Sequence, residues 1–149
     1  MKLLLYIVLL LVICFLPVQP TDVGQLIPVE VIALSEGQGQ LAVRTDTGDL
    51  GRGATLQEAF GDLRDTAPGT IYLDTAAYLL LEPGTEDLAT ALTGYLKPDT
   101  KVYLAVEGIQ LEGIAEYLSA HHPGLPLKDA LEVSELPVLT EKDGRYWIK

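Results

Sequence analysis

Leu3 to Leu16 (LLLYIVLLLVICFL) is an unbroken apolar run of 14 residues, and it divides the chain into two parts of different physical character. Met1 and Lys2 precede it and Pro17-Val18-Gln19-Pro20 closes it. A membrane-spanning helix needs about 20 apolar residues, whereas the core of an export signal needs about 7–15. The length therefore fits a signal peptide. No small-x-small cleavage site comes after it, which fits an uncleaved signal anchor, its span extended by Tyr6 and by snorkelling of Lys2. Leu11-Val12-Ile13-Cys14 offers a lipid-anchor reading, with Cys14 as the acylated residue, although the bulky Ile13 stands where a small residue normally does. All three readings export the remainder of the chain. One positive charge ahead of the run and an acidic domain behind it place the chain at the cell membrane, N-in and C-out, with a secreted or lipid-anchored form as the alternative.

Composition sharpens the division. The 149-residue chain has 10 Lys+Arg against 21 Asp+Glu. Its net charge of −11 becomes −12 once Lys2 is set aside. A mean hydropathy of +0.26 is high for so acidic a protein, and the apolar run accounts for it. An acidic surface argues against nucleic acid as a partner. The one cysteine, Cys14, lies inside the apolar run, so neither a disulfide framework nor a Cys-rich zinc site is available to the rest.

Residues 1–20 thus read as a signal anchor or signal peptide, 21–26 as a linker and 27–149 as one extracytoplasmic domain. Ile27–Leu34 reads as a strand, with Glu36–Gly39 as a turn and Gln40–Asp46 as the returning arm of a hairpin. Thr47–Gly53 reads as a glycine-rich loop. Thr55 caps a helix from about Leu56 to Thr66, with Thr55-x-x-Glu58 in capping-box form. Leu56, Ala59, Phe60 and Leu63 fall on one face of it. Thr70–Asp74 reads as a strand, Ala76–Glu82 as a strand or short helix, Thr85–Leu96 as a helix and Lys101–Val106 as a buried strand. Leu111–Ala120 is a third helix, and Leu136–Ile148 a hairpin turning at Asp143-Gly144. Strand and helix alternate through the middle, which predicts an α/β fold (α+β as the alternative): a mixed sheet with about three helices.

The candidate chemistry is sparse. Gly48–Gly53 ahead of a helix invites a phosphate-loop reading. It matches neither established glycine-rich fingerprint, and Asp49 would repel a phosphate, so a flexible connection is expected. His121-His122 are adjacent, point apart and lack a nearby ligand at suitable spacing; they read as a frayed helix end, with no metal expected. Asp74 and Glu107 each end a strand. If those strands are neighbours, the two carboxylates share one rim and form an acid/base pair. Otherwise each caps a helix or faces water. Glu82, Glu86, Asp87, Glu112, Glu116, Glu132 and Glu135 read as a solvated acidic face. Tyr146 and Trp147 form a candidate interaction patch, or close the core. Tyr72, Tyr78, Tyr103 and Tyr117 would line an apolar pocket in a ligand-binding module, or pack in the core. Nothing in the pattern calls for a cofactor.

The run Gly53-Ala54-Thr55-Leu56-Gln57-Glu58-Ala59, continuing to Leu63 as G-x-T-x-x-E-A-x-x-x-L, resembles the N-terminal domain of the Ger(x)C family of spore-germination proteins. The resemblance covers roughly Ile27 to Ala120. It implies a hairpin, a helix, a strand and a second helix in that order, in a bacterial membrane-associated lipoprotein that is a germinant-receptor subunit and not an enzyme. Family members are more than twice this length and carry a small residue where Ile13 stands. The resemblance assigns no catalytic residue. The sequence therefore predicts a non-enzymatic, membrane-tethered domain that acts on a protein partner in spore germination. A secreted enzyme using Asp74 and Glu107, and a small-ligand or peptide-binding module, are the competing expectations.

Overall fold

The computed structural model describes residues 23–121, 124–130, 132 and 135–149. The apolar run and Cys14 lie outside the described residues. Among those described, no helix is long and apolar enough to cross a membrane.

The fold is mixed α/β. Among the described residues ten strands run β1 (Leu26–Pro28), β2 (Val31–Gly37), β3 (Gln40–Thr45), β4 (Leu50–Gly53), β5 (Thr70–Tyr72), β6 (Tyr78–Leu81), β7 (Lys101–Ala105), β8 (Leu125–Pro126), β9 (Val138–Lys142) and β10 (Arg145–Ile148). Four α-helices among the described residues are α1 (Leu56–Thr66), α2 (Ala89–Leu92), α3 (Ile114–His121) and α4 (Leu127–Ala130). The main sheet has the order β10-β9-β7-β6-β2-β3-β4, with β8 on β7, and β1 pairs β5 separately. The central strands β9, β7, β6 and β2 are parallel, and both flanks are antiparallel hairpins.

The centre is apolar on both faces because both faces are covered, as a parallel sheet requires. Ile32, Leu79 and Val102 form one row across β2, β6 and β7, and Ala33, Leu80 and Tyr103 form the next. Successive rows point to opposite faces. The first row packs with Phe60 and Leu63 of α1, Leu92 of α2 and Leu127 of α4. The second packs with Ile114 and Leu118 of α3. The Thr55 cap on α1 forms: Glu58 N–H donates to Thr55 Oγ1 at 3.2 Å, and the Glu58 carboxylate reaches past the capping residue to accept from Ala54 N–H at 2.8 Å.

Several elements differ from the sequence expectation. The strand expected over Ile27–Leu34 breaks into β1 and β2, because Val29 N–H goes to Thr75 Oγ1 (3.0 Å) and Glu30 N–H to Asp46 Oδ1 (3.2 Å) rather than to a neighbouring strand. The helix expected over Thr85–Leu96 shrinks to a 3-10 turn at Glu86–Leu88 and the single turn of α2. Thr85 does not cap it; its buried hydroxyl donates back to Glu82 C=O at 2.8 Å. The glycine-rich loop is corrected to strand β4, and its glycines serve contact with α1. A Cβ on Gly51 would lie 2.5 Å from Leu63 N and against Ala59 C=O, and one on Gly53 would lie 2.6 Å from Ala59 N. Those distances lie far inside van der Waals contact, so only glycine lets the helix approach the strand.

Candidate functional site

The carboxyl ends of the parallel strands are where open α/β sheets place ligands. Here β2, β6 and β7 end around a polar cleft of about 850 Å³ that includes Glu36, Arg44, Arg52, Glu82 and Glu107. Glu82, expected on the solvated acidic face, is instead 3% exposed. The apolar β6 carries it straight off its end into the interior. A buried carboxylate needs a counter-charge and donors. Arg44 of β3 supplies the charge through a close Nη2–Oε1 contact, and Gly108 N–H donates to Oε2 at 3.1 Å. The other Arg44 nitrogen, Nη1, donates to Ile109 C=O at 3.1 Å. Arg44 and Glu82 therefore clamp the loop after β7 onto β3 and β6. Both Glu82 oxygens are thus engaged in holding the loop. The remaining acids named for that face, Glu86, Asp87, Glu112, Glu116, Glu132 and Glu135, are exposed.

The structure does not bring Asp74 and Glu107 together. Asp74 sits in the 3-10 turn Leu73–Thr75, after β5, which pairs with β1 and not with β7. That turn leads into the start of β6, where Tyr78 is opposite Lys101, the first residue of β7. Glu107 comes after the far end of β7. The length of four strand residues, roughly 13 Å, separates the two ends, so the pair cannot flank one substrate bond. Each of the two residues ends a strand in the sequence, and nothing local to either places β5 in a separate ladder. Thr75, beside Asp74, is a strut: its hydroxyl donates to Val29 C=O at 2.9 Å and accepts from Val29 N–H.

Groups that a phosphate would use around β4 and the start of α1 are engaged within the chain. The outward Arg52 N–H is taken by Asp62 Oδ2 at 2.8 Å, Glu58 N–H by Thr55 Oγ1, and Ala54 N–H by the Glu58 carboxylate. His121 stacks on Tyr117 with ring centroids 4.4 Å apart, and its Nδ1 lies 2.9 Å from Tyr117 C=O. His122 lies outside the described residues. Among the described residues no group of three potential metal ligands gathers.

The four tyrosines do not converge on one pocket. Tyr103 is fully buried and tilted against Tyr78, Tyr72 is 41% exposed elsewhere, and Tyr117 packs on His121 and Tyr146. Burial, with Tyr78 as the smaller cause, pushes the Tyr103 hydroxyl up to about 12. Burial likewise raises Tyr78, helped by Glu30, and Tyr146, helped by Glu141 and Glu112.

Tyr146 and Trp147 part company, as neighbours on a strand must. Tyr146 faces α3, its hydroxyl donating towards Glu112 C=O (3.2 Å) and Gln110 C=O (3.3 Å). Trp147 faces the other way and remains 44% exposed, so it does not close the core. Compared with protein-family models, curated proteins and solved structures, the chain matches none.

Proposed function

We propose that this protein is a non-enzymatic, membrane-tethered extracytoplasmic domain that acts through contact with another protein, in bacterial spore germination. The observation that carries the contact reading is Trp147: the one tryptophan of the chain stands on an edge strand with 44% of its surface in water. Tryptophan is enriched among the residues that anchor protein interfaces. The membrane tether rests on the Leu3–Leu16 run. The germination role rests on the resemblance carried by Gly53 to Leu63.

The acid/base pairing loses its support with the separation of Asp74 from Glu107, and the tyrosine-lined pocket with the dispersal of the tyrosines. Deleting the gene in a sporulating host and scoring germination with each nutrient tests the proposal. Slowed germination with at least one nutrient is expected; normal germination with every nutrient refutes the role. Fractionation tests the tether, which a fully soluble, N-terminally processed protein in the medium would contradict.

A further inference from the structure

The two ends of the main sheet are finished differently. At the β4 end α1 covers outward backbone groups: Arg52 N–H donates to Asp62 and Leu50 C=O accepts from the Thr66 hydroxyl at 3.3 Å, both partners on α1. This is the usual protection of an edge strand. At the β10 end, Val138 and Lys149 exchange two 3.0 Å bonds, and the antiparallel alternation turns Trp147 towards its partner Thr140 on β9. The amides and carbonyls of Tyr146 and Ile148 then point outward, and among the described residues nothing bonds to them.

The side chains on one face of this edge hairpin are cationic although the protein is acidic, while Glu86, Asp87 and Glu135 line a cleft with Lys149. Arg145, Trp147 and Lys149 share one face of β10, with Lys142 across from Arg145 on β9. All three cations are exposed, and none is in an ion pair among the described residues. Glu141, the acid on this hairpin's strands, is on the opposite face and accepts from Gln110 N–H at 3.1 Å. We propose that the β10 edge takes up an extended acidic segment of a partner protein as an added strand. This deepens the contact reading of Trp147 and rests on it. Main-chain bonds to Tyr146 and Ile148 would supply the pairing, and the three cations with Trp147 the choice of side chain. A second copy fits badly: antiparallel self-pairing about Trp147 sets Arg145 opposite the Lys149 of its mate, like charge on like. An anionic lipid surface would meet the cations and the indole but leave the outward amides unpaired.

The test uses the full chain in phosphatidylcholine nanodiscs and two blocked seven-residue peptides, one alternating Glu with Val and one alternating Lys with Val. Trp147, the only tryptophan, reports through its fluorescence. The Glu peptide should give a saturable blue shift and slow amide exchange at Tyr146 and Ile148 by about 10-fold or more. Arg145→Glu/Lys149→Glu should weaken it by about 10-fold. Ile148→Pro, which removes an outward N–H and no bond to β9, should abolish it. Equal binding of the Lys peptide, or no binding of either, overturns the inference. So do a fluorescence shift seen only with phosphatidylglycerol vesicles, which would mark a lipid surface, and one that tracks protein concentration, which would mark self-association. Failure here leaves the contact reading to the gene deletion, which reads germination and not this edge.

Discussion

Removing the counter-charge from Glu82 is the sharpest perturbation of the clamp at the carboxyl edge. Arg44→Met keeps the aliphatic stem and deletes the guanidinium, leaving a carboxylate whose side chain is 4% exposed with Gly108 N–H as its remaining donor among the described residues. Orphaning one member of a buried pair costs about 3–5 kcal/mol. The Arg44 side chain is itself 29% exposed, so water partly screens the pair, and the low end, about 3 kcal/mol, is expected. With a urea m-value of about 1.5 kcal/mol/M, the unfolding midpoint should fall by about 2 M. Glu82→Leu should also be destabilising alone, since it strands Arg44 and frees the loop. The double variant Arg44→Met/Glu82→Leu should recover most of the loss, because an apolar pair of similar volume replaces an ion pair at little net cost. The assay is urea unfolding of the four proteins. A midpoint for Arg44→Met within about 0.3 M of the parent refutes the reasoning, as does a double variant no more stable than Arg44→Met.

Packing and titration give two further predictions. Gly51→Ala drives a methyl into the α1 backbone and should cost about 3 kcal/mol, while Gly61→Ala on α1, which meets nothing within 4 Å, should gain about 0.5–1 kcal/mol from helix propensity; thermal unfolding of both separates close approach from a general glycine effect. The protein should weaken in alkali. Tyr103 releases its proton near 10 when unfolded and near 12 when folded. Its contribution is therefore complete below pH 10 and is lost as pH rises towards 12, with Tyr78 and Tyr146 shifted the same way. Urea melts should show roughly 1 kcal/mol lost through Tyr103 between pH 9 and pH 11, and Tyr103→Phe should flatten that limb; an unchanged slope contradicts the assignment.

The legible parts of the fold were those with local causes. The β2–β3 hairpin, the capped helix α1 with Leu56, Ala59, Phe60 and Leu63 inward, the buried run of β7 and the turn at Asp143-Gly144 each declare themselves within a dozen residues, and each is present. Asp143 and Gly144 both have positive φ, 53° and 70°, as a tight hairpin turn demands. What stayed hidden depended on distant chain. Gly51 and Gly53 read as a loop because the helix that requires them packs on them only in three dimensions. Glu82 read as surface because its partner Arg44 is 38 positions away and no spacing rule joins them. Its one local signal was a carboxylate set directly on the end of Leu79-Leu80-Leu81. The Asp74–Glu107 pair failed on strand order, which strand ends alone do not encode. Trp147 was singled out by residue type, but its exposure comes from β10 being the last strand of the sheet.

The proposed contact holds a partner protein at the β10 edge. Photocrosslinking in the sporulating host tests it most directly, with p-benzoylphenylalanine placed at position 147 and, separately, at exposed Arg64 on α1. An adduct is expected from position 147, its crosslinked peptide, mapped by mass spectrometry, an acidic extended segment, and none from position 64. An adduct from position 64 without one from 147, or no adduct from either, would contradict it.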